Sequence, residues 1–166
     1  MEAILTRRSI RKYTEKPVSD DLVIELLRAA MAAPSAQNQQ PWQFVVVRDQ
    51  NLLEGLAAAQ PYAAMTRDAQ VAIVICGDLR REKSPGFWVQ DCAAATENLL
   101  IAANAAGLGA VWTGTYPREE RVANVRAVLG LPDHIIPFAV IPIGYPAEHP
   151  APADRFDARR IHNDRW

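Results

Sequence analysis

Cysteine is scarce. Only Cys76 and Cys92 occur in 166 residues, and neither belongs to a CxxC pair. This excludes a disulfide scaffold and a thiolate zinc site, and the apolar or small neighbours of each are those of a buried thiol in a reducing compartment. Histidine is equally sparse. His134, His149 and His162 are scattered, with no Cys or acid at ligand spacing, so no metal site is expected. Long apolar runs are missing: polar residues interrupt each one well short of the roughly 20 residues that a membrane span needs. No apolar N-terminal stretch has the form of a signal peptide. The expectation is a cytoplasmic protein that does not bind a membrane. Net charge is missing too. With 18 basic and 19 acidic side chains the chain carries −1, which gives no reason to expect wholesale nucleic-acid binding.

Motifs for familiar chemistry are also lacking. There is no GxGxxG after a strand and no GxxxxGK[ST], so the common dinucleotide and phosphate cradles are excluded. No serine sits in GxSxG, no cysteine has a plausible histidine partner, and Asp91 and Glu97 have no twin carboxylate. A chain without acid, base or nucleophile in a recognisable set suggests that a cofactor does the chemistry.

What is present fits one ordinary domain, residues 1–166, with 49% hydrophobic residues and enough length for a real core. Residues 2–8 suit a short opening helix. Ser19 can cap a second helix, with Leu22, Leu26, Leu27 and Ala30 on one face and Pro34 beyond its end. A short strand is expected at 44–47, a helix at 51–59 and a central strand at VAIVICGD, 71–78. Residues 87–106 form the longest helical stretch, apolar almost all round, which implies burial on most sides and part of its surface against a second subunit. GLGAVWTG, 107–114, stops that helix and turns into a strand. Residues 118–129 suit a helix. AVIPIGY, 139–145, reads as a strand in which Pro142 points to an edge or bulge. The tail, with Phe156, Ile161 and Trp166, is expected to lie extended on a surface. The fold class is α+β, with a sheet of mixed direction.

Three stretches stand out. RRSIRKY, 7–13, concentrates Arg7, Arg8, Arg11 and Lys12 with no acid between Glu2 and Glu15. Arginine forks beside the Ser9 hydroxyl suit a phosphate, although a solvated basic turn has the same composition. If the stretch is helical, Arg7 and Arg11 share a face. PSAQNQQPW, 34–42, carries four side-chain amides, whose paired donor and acceptor match the edge of a flavin or a nucleobase. A polar turn with Asn38 bonding its own backbone is the plainer reading. GAVWTGTYP, 109–117, ends a strand in Thr-Gly, and Gly114 would let a ligand approach the main chain. Trp112 can pack on a ring or fill the core.

Taken in order, RRSIRKY, PSAQNQQPWQF, DCAAATENLLIAANAAGLGAVWTG, IPIGYP and the RRIH segment resemble the FMN-dependent nitroreductase family over nearly the whole chain. The resemblance implies a nitroreductase-like α+β fold, a mostly antiparallel mixed sheet flanked by helices, in an intertwined homodimer with FMN at the subunit interface and helix 87–106 central to it. It implies that Arg7, Arg8, Ser9 and Arg11 form the N-terminal FMN site. Arg7 and Ser9 would hold phosphate and ribityl oxygens, and Arg11 would reach the N1/O2 side of the ring. Asn38 would bond the pyrimidine edge, and Pro34, Ser35 and Ala36 would reach a flavin from the other subunit. Trp112, Thr113 and Gly114 would lie beside the isoalloxazine, offering a backbone N–H to N5. Arg159 or Arg160 would complete the phosphate site, with Arg160 favoured. The implied activity is reduction of nitroaromatics, quinones or similar flat electron-poor acceptors, with NADH or NADPH as donor and ping-pong hydride transfer through N5. No side chain is expected to act as a catalytic acid.

The chain departs from larger members of that family. Those carry extra helical material between the second strand and the long helix, where only LRREKSPG stands here. Two alternatives remain at this point. One is a flavin-free protein that grips a phosphate or nucleic acid with its basic N-terminus, for which only Tyr13 supplies an interleaved stacking group. The other is an FMN protein of this fold that senses or handles flavin without turnover.

Overall fold

The apolar run Val71–Asp78 is buried along its entire length and forms the middle strand, β2, of an antiparallel sheet. In the computed structural model, which describes residues 1–151 and 153–166, the helices are α1 Glu2–Thr6, α2 Asp20–Met31, α3 Gln50–Ala58, α4 Trp88–Ala105 and α5 Glu119–Leu129. The other strands are β1 Trp42–Val47, β3 Gly109–Ala110, β4 Thr113–Gly114 and β5 Ile135–Gly144. The sheet order is β1-β2-β5-β3, with β4 also pairing to β5. All these ladders are antiparallel, and the one parallel element among the described residues is an isolated bridge between Ser9 and Ala110.

Both faces of the sheet are covered, which is why β2 reads as a continuous apolar run and not as an alternation. Val71, Ile73 and Ile75 pack with Leu26 and Ala30 of α2 and with Cys92, Ala95 and Leu99 of α4. Ala72, Val74 and Cys76 pack on the opposite side with Leu53 and Leu56 of α3 and Val125 of α5. The result is three layers, with α2 and α4 on one face and α3 and α5 on the other.

The helices begin where side chains can satisfy their first N–H groups. The Ser19 hydroxyl accepts from the Leu22 N–H at 3.3 Å, and Asp20 and Asp21 occupy the first turn of α2. Asp49 caps α3 in the same way, accepting from the Leu52 N–H at 3.1 Å. α4 reaches the sheet across a very close contact. A Cβ on Gly77 would lie 2.4 Å from Cε3 of Trp88, so glycine makes room for the indole at the start of that helix.

Two expectations need correction. β5 is central and not an edge strand, because β2 lies on one side of it and β3 and β4 on the other. Pro142 is tolerated because of local geometry. The Val140 carbonyl accepts the Thr113 hydroxyl, so the polar groups of residues 140 and 142 face the β3/β4 side. There the partner strand is interrupted between Ala110 and Thr113, so the missing N–H of Pro142 costs no ladder bond. The second correction concerns RRSIRKY. The helix ends at Thr6, and residues 7–13 run as a strap along the sheet edge, so Arg7 and Arg11 are not helical neighbours. The Ile10 N–H donates to the Ala110 carbonyl at 3.0 Å, and the Thr14 N–H donates to the Tyr145 carbonyl at 2.9 Å.

Cys76 and Cys92 are both fully buried free thiols. Burial pushes the Cys76 thiol up to about 12 and raises Cys92 further. The attacking species is the thiolate, so neither should react at neutral pH. Ellman's reagent at pH 8 is expected to label no thiol in native protein and both after unfolding. Rapid labelling of the native protein would mean that the two helical layers open readily.

Candidate functional site

The interruption between β3 and β4 is where the site forms. Val111 and Trp112 leave the ladder there, and the chain re-enters it at Thr113. A cavity of about 510 Å3 opens beside this break, within the size range of small-molecule sites. Arg11 comes to it from the strap, Trp112, Thr113 and Gly114 from the break, Gln60 and Tyr62 from the loop after α3, and Arg121 from α5. None of its described lining residues is acidic, so Arg11 and Arg121 supply its only formal charges.

Its floor is rigidly held. The Thr113 hydroxyl donates to the Val140 carbonyl at 2.6 Å and accepts from Nε2 of the buried Gln60 at 3.0 Å. Trp112 meets Phe138 edge-on, with ring centroids 5.5 Å apart, and is only partly buried. It therefore packs on the core and also lines the cavity. A Cβ on Gly114 would meet nothing within 4 Å. Packing does not demand glycine here, and the open space over its main chain is room for a bound molecule.

The strap is fixed through its backbone and its tyrosine. The Arg11 N–H donates to Oε1 of Glu148 at 2.6 Å, which leaves the guanidinium unencumbered. The Tyr13 hydroxyl donates to the Ile10 carbonyl at 2.7 Å and lies 3.2 Å from the Pro142 carbonyl. Burial raises its titration well above the usual phenol range, so it stays a proton donor.

Of the sequence-predicted residues, Arg11, Trp112, Thr113 and Gly114 meet in this cavity. The others stand apart from it within one chain. Arg7 pairs with Glu97 of α4 at 3.3 Å. Arg8 donates to main-chain carbonyls, reaching Leu5 at 2.9 Å and Ala151 at 3.1 Å. Ser9 bridges to Ala110. Arg159 and Arg160 both reach Asp157, at 2.9 and 3.5 Å, and both are exposed. Hydrogen bonds from Arg159 hold the Asp157 carboxyl below the usual carboxylate range.

Pro34, Ser35, Ala36 and Asn38 lie on a turn at the N-terminal end of α4. Its four amides divide by role. Gln39 is buried and structural: its Nε2 donates to Asp91 at 2.6 Å, and its Oε1 accepts the N–H groups of Lys83 and Ser84 at 2.7 and 3.0 Å. Asp91 also accepts the Ala36 N–H at 2.9 Å, so this lone carboxylate anchors the turn. The Asn38 Oδ1 accepts from the side chain of Gln40 at 2.7 Å and does not close on its own backbone. Gln37, Asn38 and Gln40 all adopt left-handed φ, between 45° and 51°. Such a cluster is costly for non-glycine residues and is characteristic of functional turns. Sequence reasoning missed Gln60, Tyr62 and Arg121. A Gln-Pro-Tyr and an Arg among helical glutamates carry no motif, so no local signal marked them.

Among the described residues no helix is long and apolar enough to cross a membrane. Comparison with known proteins adds the following. The sequence model described as the nitroreductase family matches residues 4–61 and 54–145. A Methanothermobacter thermautotrophicus protein, provisionally named NADH dehydrogenase/NAD(P)H nitroreductase, is 54% identical over all of this chain and 87% of its own length. A crystal structure of a Parabacteroides distasonis protein with the same provisional name superposes with a TM-score of 0.96, at 45% identity over 99% of this chain and 97% of that one. A Desulfovibrio desulfuricans protein, provisionally a nitroreductase and solved in complex with FMN, superposes at 0.86 with 34% identity, over 99% and 96% of the two chains.

Proposed function

Because this chain belongs to the nitroreductase family, we propose that it is an FMN-dependent oxidoreductase that takes electrons from NADH or NADPH and passes them to nitroaromatics, quinones or similar flat, electron-poor molecules. The observation that carries this reading is the cavity beside the strand break, with arginine and no acid in its described lining and open main chain at Gly114. Bound FMN would supply the two-electron chemistry, and donor and acceptor would use the same open face in turn, as in a ping-pong scheme.

The residues that line the cavity fit the ring of such a group. A ring set on Trp112, Thr113 and Gly114 would meet main chain that no side chain covers, and Asn38, which does not line this cavity within one chain, would bond its edge. Arg11 would stand beside the part of the ring that gains negative charge on reduction, where a fixed cation favours acceptance of electrons. Arg7, Arg8, Ser9 and a tail arginine, Arg160 before Arg159, would take the phosphate, the most strongly charged part.

We further propose a homodimer with the cofactor at the subunit interface. Pro34, Ser35 and Ala36 do not line the cavity of their own chain, which is what a contribution from a second subunit would look like. Phe156, Ile161 and Trp166 leave large apolar surfaces open, at 78%, 56% and 101% exposure, on a segment that a partner would cover.

The test is a visible spectrum of purified protein followed by anaerobic addition of NADH or NADPH, with the mass measured by sedimentation. The expected result is a dimer with a bound-flavin spectrum that bleaches with reductant and recovers with a quinone. A protein that stays colourless with added FMN overturns the reading. A flavin that no nicotinamide reduces would favour a flavin-handling role.

A further inference from the structure

Arg121 has no role in the reading above, yet it lines the same cavity. It enters from α5, and its Nη1 donates to the Gly114 carbonyl at 3.0 Å. Its guanidinium lies 5.6 Å from the centroid of Tyr62. Among the described residues it makes no ion pair. Its nearest acids in sequence, Glu119 and Glu120, are exposed at the start of the same helix and line a neighbouring cavity together with Arg121, but neither pairs with it. One of its five N–H groups is thus used to fix the side chain, and the fork remains available. A partly buried guanidinium without an ion-pair partner, lining a cavity none of whose described residues is acidic, is suited to an anion.

Resting on the FMN reading, we infer that Arg121 is a specificity-determining residue that receives an anionic oxygen group of the molecule occupying the space over Gly114. That group is either a carboxylate on an aromatic acceptor or a phosphate of the nicotinamide donor. Arg11 belongs to the cofactor, and Arg121 belongs to the molecules that exchange electrons with it. The division follows from position. Arg11 sits on the strap beside the basic N-terminal cluster, whereas Arg121 is tied to the Gly114 carbonyl, at the main chain left uncovered.

The experiment uses FMN-loaded protein. Binding of 4-nitrobenzoate and 4-nitrobenzamide to the oxidised form is measured by calorimetry, and KM for NADH and NADPH by steady-state rates, in wild type and Arg121→Gln. FMN affinity is measured separately by quenching of flavin fluorescence. The expected result is a roughly tenfold loss for the charged partner, equivalent to about 1.4 kcal/mol. The uncharged amide and FMN itself should change less than twofold, and Arg121→Lys should restore part of the loss. Weakening of nitrobenzoate assigns the anion to the acceptor, and weakening of a nicotinamide nucleotide assigns it to the donor. Equal losses for nitrobenzoate and nitrobenzamide, or none for any ligand, would overturn the inference while leaving the FMN reading intact. Failure of the wild type to bind FMN would instead remove the reading on which it rests.

Discussion

Replacing Arg11 by alanine is expected to raise the FMN dissociation constant by about tenfold to hundredfold, the equivalent of a hydrogen bond to a charged group at ~1.5–3 kcal/mol. The substitution is well placed to report on the guanidinium alone. The strap is held by main-chain bonds from Ile10 and Thr14 and by the Arg11 N–H on Glu148, none of which needs the side chain. Among the described residues the guanidinium makes no ion pair, so folding stability should move little. The flavin potential should also become more negative. A cation beside the reduced ring favours the more negative state, so its loss weakens the reduced form more than the oxidised one. A tenfold difference between those two losses corresponds to about 30 mV for a two-electron couple. Fluorescence titration of apoprotein and equilibration with a redox dye read the two effects separately. Unchanged affinity and potential would show that Arg11 faces solvent in the assembled protein.

Leu99→Ala is expected to remove about 2–5 kcal/mol of stability. Leu99 is fully buried on α4, in the cluster that joins α2 and α4 to Val71, Ile73 and Ile75 of the sheet. A total stability of about 5–15 kcal/mol leaves little margin, and the midpoint of thermal unfolding should fall by roughly 4–20 °C. Protomer and FMN concentrations must be held fixed, because ligand binding and assembly both raise apparent stability. Ile24→Ala, on the exposed side of α2 at 48% exposure, is the control and should stay within about 0.5 kcal/mol. A loss below 1 kcal/mol at Leu99 would mean that α4 does not depend on the sheet for its place.

The Leu99 position was legible from the chain alone, because a long helix that is apolar almost all round has to be buried. So were β2, the Ser19 cap and the order of the elements. The site was legible only in part. Arg11, Trp112, Thr113 and Gly114 line one cavity, since strap and strand break lie side by side at the sheet edge. The amide-rich turn was legible as a feature but not in its division of labour. Gln39 and Asn38 are adjacent and chemically alike, yet one is locked onto Asp91 and the other is presented outward. That difference depends on α4, more than fifty residues away.

The sequence by itself determined what local physics can reach: helix caps, apolar periods, the burial of both faces of β2 and the presence of a basic strap. Tertiary structure decided what depends on partners remote in the chain. Pro142 sits in a central strand because the facing strand is broken there. Arg7 reaches Glu97 of α4, and Arg121, which no motif marked, ends at the same cavity as Arg11. Periodicity and composition report on neighbours within a few residues. A salt bridge, a strand interruption or a cavity wall is set by which distant segments the sheet brings together.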